Sequence, residues 1–292
     1  MTAILPRKTG TVKLGATASR RARRARNLGA VFALSWIVLI VLAAVFADVL
    51  PLDDPNAISD QFNAPPGTPG HLLGTDMLGR DILSRCIYGA RVSIAVALGS
   101  TTAAMVIGVT IGMIAGYFRG PSDAVASMGV NFLLAFPPLV FLIALVAALQ
   151  PSLATLVIGL ALLGIPNFAR VARANTIAFS GREFVTAAKA LGAPPWRILR
   201  KELLANVMLP VMSLGLVVMA TLVVAEGSLS FLGLGVPPPT PSWGGMLASG
   251  RESMSHHPHL VLIPSLFFFI TVLAFNTLGD WMRARVGRES SI

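Results

Sequence analysis

The chain has 292 residues, 54% hydrophobic and 12% charged, with a formal net charge of +10 and a mean hydropathy of +0.74. A water-soluble domain of this length has too little polar surface to cover so much apolar material, which leaves an integral membrane protein. A surplus of positive charge also suits a nucleic-acid binder, but the densest run, RRARRAR from Arg20 to Arg26, stands just before an apolar window. There it anchors topology and meets anionic lipid headgroups, so no nucleic acid is expected as a partner.

Residues 1–27 have little apolar content and read as a basic tail without a helical stripe. The first charge-free window, Asn27 to Ala47, spans about 21 residues, too long for the apolar part of a cleavable signal and enough to cross a bilayer. From Pro51 to about Gly70 the chain is rich in Pro, Asp, Asn and Gly and is expected to be irregular. Thr75 or Asp76 then offers an N-cap for an amphipathic helix along the membrane surface. Cys86 is the single cysteine, which rules out an internal disulfide and leaves it a packing role.

The second window, Val92 to Phe118, carries Gly108, Gly112 and Gly116, a small-xxx-small series for close helix approach in lipid. The window from Ala124 to Ala169 is long enough for two spans, with a turn at Gln150, Pro151 and Ser152. Pro137 and Pro138 fall near the middle of the first of these. There they bend the helix, either shaping a translocation path or making a static kink. Leu203 to Ala225 and Ser253 to Gly279 complete six spans in an all-α fold. Between these last two, Leu229 to Gly250 is uncharged but full of Gly and Pro, and is expected to fold back over the outer mouth.

Of the 23 Lys and Arg residues, 19 fall on one side when the N-terminus is placed inside, leaving Arg80, Arg85, Arg91 and Arg251 outside. Both termini are therefore expected in the cytoplasm. Glu226 is the one ionisable residue at membrane depth, readable as a packing or outer-gate residue or as an ion-coupling carboxylate. His256, His257 and His259 form an outside group that suits a transition metal in chemistry but is more simply a set of solvated loop side chains. No metal site is assigned.

One polar stretch between spans carries a pattern of its own. Ser180 and Glu183 have capping-box spacing. Phe184, Ala187, Ala188 and Leu191 recur at i, i+3, i+4 and i+7 as a narrow apolar stripe. Gly192 and Pro194 stop that helix, and Pro195 begins another to Glu202. Two alanines at the centre of a stripe make a poor core but let another protein's surface come close.

Thr186, Ala187, Ala188, Leu191 and Gly192 resemble the cytoplasmic Glu-Ala-Ala coupling loop of bacterial ABC importer permeases. HLLGTDMLGRD (71–81), LSFLGLGVPPPTPSWGGML (229–247) and FNTLGD (275–280) point to the branch handling dipeptides, oligopeptides and nickel, and to its C-type permease subunit. The resemblance implies a type I ABC importer permease fold, divided as a basic cytoplasmic tail (1–27), a first transmembrane helix (28–50), an extracytoplasmic segment (51–90), a five-helix permease core (91–285) with its coupling loop at 180–205, and a C-terminal tail (286–292). It also implies the partners: a homologous B-type permease subunit, two ATP-binding subunits and an extracytoplasmic binding protein. Coupling to the ATPase would then fall to Glu183, Phe184, Thr186, Ala187, Ala188, Leu191 and Gly192, and a translocation path or gate to Pro137, Pro138 and Glu226. Three departures stand out: Thr186 replaces the Glu of the motif's name, Ala205 stands where relatives commonly have Pro, and after Asp280 the chain runs WMRARVGRESSI in place of the common acidic ending.

The chain has no G-x-x-x-x-G-K-[ST] phosphate loop, no H-E-x-x-H and no G-x-S-x-G. An enzyme is not expected, no cofactor is assigned, and ATP would be bound by the partner subunits. Peptides are the expected cargo, with nickel as the alternative. An ion-coupled secondary transporter stands further off, because such a protein calls for paired intramembrane carboxylates.

Overall fold

The computed structural model describes the backbone of residues 13–289 and the side chains of residues 27–285. Ten helices follow in order: α1 (Lys13–Val45), α2 (Ile82–Phe118), α3 (Pro121–Ala135), α4 (Pro138–Leu149), α5 (Leu153–Ser180), α6 (Glu183–Ala190), α7 (Pro195–Arg197), α8 (Leu204–Phe231), α9 (Trp243–Gly250) and α10 (His259–Glu289). A π-helical turn, Ile198–Leu203, joins α7 to α8. Among the described residues no strand forms beyond two isolated bridges. Five helical segments are long and apolar enough to cross a membrane, and the bent pair α3 and α4 makes a sixth if counted as one span.

Several expected boundaries move. The region read as an unstriped tail is helical in backbone from Lys13, while residues 1–12 lie outside the described residues. No surface helix starts at Thr75 or Asp76. Asp76 instead accepts from the amides of Leu78 and Arg80 in a tight turn. Asp81 is the N-cap of α2, accepting from the Ser84 amide at 2.7 Å. From there α2 runs unbroken for 37 residues, about 55 Å, so its first turns stand beyond a hydrocarbon core of about 30 Å. Arg91 in that projecting end donates to the Ala44 carbonyl at 2.8 Å and pairs with Asp48 at 3.0 Å. It thereby caps the last turn of α1 and holds the Asp48 carboxyl below the usual carboxylate range.

The most extensive helix pair is α2 with α5, and the glycine series explains it. A Cβ on Gly108 would lie 2.8 Å from the Ile165 carbonyl, and one on Gly116 2.8 Å from that of Arg173. A Cβ on Gly112 would meet the Ala169 carbonyl still more closely. Such spacing leaves no room for any side chain, so the backbones touch directly. The main core gathers Phe168, Leu160, Leu156, Val96, Leu203 and Val207 between α2, α5 and α8.

Pro137 and Pro138 do more than bend a helix. α3 ends at Ala135, Pro138 begins α4 at its first position, and the two axes differ by 87°. Proline at N1 loses nothing by lacking an N–H, which lets the chain restart in a new direction. The expected sixth span also starts later, at His259, because residues 251–253 form a separate 3₁₀ turn.

Candidate coupling face and outer polar lock

The α6 helix is short, and its two faces differ sharply. Val185 is fully buried and Ala188 is half-buried against the main core. Phe184, Thr186, Ala187 and Leu191 are exposed, Leu191 at 88%. The expected stripe is therefore split: Ala188 faces the permease itself, and Phe184, Ala187 and Leu191 are left to solvent. Glu183 in the first turn and Lys189 in the last both suit the helix dipole.

The capping box does not form. Ser180 still belongs to the end of α5, and its hydroxyl donates to the Ile177 carbonyl at 2.9 Å. Arg182 takes the N-cap position with no side-chain bond to the helix. The other end behaves as the sequence indicated. Gly192 sits at φ +77°, its N–H donates to the Lys189 carbonyl, and that of Ala193 donates to the Ala188 carbonyl, both at 3.0 Å. These two bonds make a Schellman motif, whose left-handed position favours glycine.

Beyond Pro195 no free-standing helix appears. α7 passes through the π turn directly into α8, and the fifth span therefore begins at Pro195. The wider turn directs Ile198, Leu199 and Leu203 inward while Arg197, Arg200 and Lys201 stay exposed or half-exposed at the surface. Two aromatic contacts tie this segment to the far end of α2. The Lys189 ammonium lies 5.4 Å over the Tyr117 ring, and Trp196 packs on Phe118 at 5.7 Å. Sequence reasoning missed Val185, the anchor of α6. The signal was the one branched aliphatic residue of α6, three places before Ala188 and so on the same helix face.

Glu226 sits in a different setting, fully buried near the end of α8. Its carboxylate accepts from the hydroxyls of Ser93 on α2 at 3.0 Å and Ser230 on α8 at 2.7 Å. Gly244 of α9 presses on this cluster, where a Cβ would come within 2.6 Å of both the Gly227 carbonyl and Ser230 Cβ. Nearby, the Trp243 indole N–H donates to the Cys86 carbonyl at 2.9 Å. Together these contacts lock α2, α8 and the Gly- and Pro-rich strap at the end of α2 opposite α6. Glu226 has hydroxyl partners and no ionic one among the described residues.

Pro137 and Pro138 take no part in the hydrogen bonds around Glu226. The helices they separate bury only Val130, Leu142 and Val146, leaving Phe132, Phe136, Leu139 and Val140 exposed. Asp123 fastens α3 to α5 through a bidentate pair with Arg173 at 2.5 and 2.7 Å. The three loop histidines do not converge either: the rings of His257 and His259 meet edge to face at 6.0 Å, and His256 contacts Ser255. A group of metal-ligand type falls instead at Asp53, His71 and Asp81. There Asp81 is already committed, one oxygen to His71 Nδ1 at 3.1 Å and the other to the Ser84 amide.

A bundle of five or six membrane-length helices, carrying a short helix that leaves Phe184, Ala187 and Leu191 exposed, has the architecture of a polytopic membrane protein. Residues 108–291 match the family described as binding-protein-dependent transport system inner membrane component. A glutathione transport system permease protein of Pectobacterium atrosepticum is 38% identical over 256 residues, covering 87% of this chain and 85% of that protein. A di/tripeptide transport system permease protein of Pseudomonas aeruginosa is 37% identical, covering 89% and 88%. In structure, the chain resembles an inward-facing MetNI methionine ABC transporter chain with TM-score 0.56 at 19% identity, over 70% of this chain and 97% of that one. The chain belongs to this permease family of the bacterial inner membrane: it is a transmembrane subunit of an ABC importer and not an enzyme.

Proposed function

We propose that this chain carries peptides, di- and tripeptides first among them, as the C-type subunit of its importer. The carrying observation is the similarity, over nearly nine tenths of the chain, to permeases named for dipeptide, di/tripeptide and glutathione transport. In this reading a homologous B-type permease completes the pore, two ATP-binding subunits bind the nucleotide, and an extracytoplasmic binding protein delivers the cargo. The basic residues put α6 and both termini in the cytoplasm. The exposed Phe184, Ala187 and Leu191 receive the ATPase, Val185 and the Tyr117 and Phe118 contacts pass its movement to α8 and α2, and the break at Pro137 and Pro138 borders the path. The decisive experiment identifies ligands on the cognate binding protein, followed by uptake of a labelled dipeptide in a strain lacking this permease. Uptake restored by the wild-type chain supports the reading. A binding protein that holds only nickel overturns the peptide cargo.

A further inference from the structure

At the end of α2 remote from α6, a half-open cleft of about 180 Å³ is lined by Asp76, Arg80, Ile82, Arg85, Met246 and Leu260. Its two guanidinium groups are nearly buried, with side-chain exposures of 13% for Arg80 and 7% for Arg85. Both lean on one carboxylate. Asp76 Oδ2 receives Arg80 Nε at 2.7 Å and lies 3.5 Å from Arg85 Nε, while Asp76 Oδ1 is occupied by two backbone amides. Arg85 Nη1 is used on the Pro55 carbonyl at 2.8 Å.

That leaves the terminal nitrogens of Arg80 and Nη2 of Arg85 without a hydrogen-bond partner among the described residues, in a cleft holding two cations against one anion. Asp81, the nearest other carboxylate in sequence, is turned to His71 and the Ser84 amide. These nitrogens are not sealed from solvent, so an anion entering the cleft can take the place of water on donors that are already held in position. A second carboxylate is the group whose planar, bidentate geometry meets them. Ile82, Met246 and Leu260 supply an apolar wall for the carbon skeleton carrying it.

We propose that this cleft is a carboxylate-binding subsite, with Arg80 as the principal donor and Arg85 supporting it. The carboxylate comes either from the C-terminus of a short peptide or from an acidic side chain of the delivering protein. The first test uses the purified full chain in lipid nanodiscs, titrated with N-acetyl-alanyl-alanine and with its C-terminal amide by saturation-transfer NMR. The acid is expected to bind saturably, and the amide and the Arg80→Gln variant with the acid to bind about tenfold more weakly. Arg80→Lys, which keeps the charge but not the fork, falls between. Equal binding of acid and amide, or an Arg80→Gln variant that binds the acid like the wild type at an unchanged melting temperature, overturns the proposal. This titration stands independently of the peptide reading; the next arms rest on it. In the assembled importer, Arg80→Gln raises the KM for free-acid peptides alone if the carboxylate belongs to the cargo. It weakens stimulation of ATP hydrolysis by the binding protein, whatever the cargo, if the carboxylate belongs to that protein. No change in either overturns a role in transport.

Discussion

The Ser93 hydroxyl donates to the Glu226 carboxylate at 3.0 Å across 133 residues of sequence, and this bond fastens α2 to α8 inside the bundle. Replacing Glu226 by Ala leaves both Ser93 and Ser230 without their acceptor, at a cost of about 1–3 kcal/mol for the buried groups. Glu226→Gln keeps one acceptor oxygen and is expected to cost less. Thermal unfolding of the purified variants in one detergent checks the order; equal melting temperatures for wild type and Glu226→Ala would sink it.

The two alanines of α6 separate structure from docking. Ala187→Arg points into solvent and is expected to leave stability within about 0.5 kcal/mol of wild type, while ATP-binding subunits no longer co-purify with the complex. Ala188→Arg forces a charge against the core around Val185 and Ile198 and lowers stability itself. Co-purification measured beside melting distinguishes the two.

Val185→Ala removes the anchor and is expected to cost about 2 kcal/mol, concentrated in α6 and not spread over the bundle. Hydrogen exchange at residues 183–193 should quicken while α2 and α5 keep their protection. Uniform loss of protection would show instead that α6 is integral to the core.

Gly112→Ala has no room, because the Ala169 carbonyl occupies the position of the new methyl. Separation of α2 from α5 is expected to cost about 1–3 kcal/mol or more. Gly215→Ala is the control: nothing lies within 4 Å of its Cβ position, and the gain in helix propensity is about 0.5–1 kcal/mol. Opposite shifts in melting temperature are the expected result.

How much was legible follows the range of the interaction concerned. Windows without charge located the membrane-crossing segments, and Gly192 marked the end of α6, because hydropathy and a left-handed residue act locally. The glycine series foretold a close approach without naming α5 as the partner. Ser180 deceived: its spacing to Glu183 suits a capping box, but α5 continues through it, since an established helix propagates at little cost where a new one must nucleate. The angle at Pro137 and Pro138 was equally hidden, because proline fixes only its own φ and the direction of restart depends on what α4 packs against.

The sequence by itself determined that the chain lies in a membrane, which segments cross it, and that one polar stretch carries a small-residue helix; these follow from transfer free energies and single-residue backbone preferences. Only the tertiary structure decided that Val185 and Ala188 turn inward while Phe184, Ala187 and Leu191 turn out, and that Arg80 and Arg85 share a single carboxylate. Those outcomes depend on which surfaces compete for the same space after the chain has folded, and no stretch of residues contains its own neighbours.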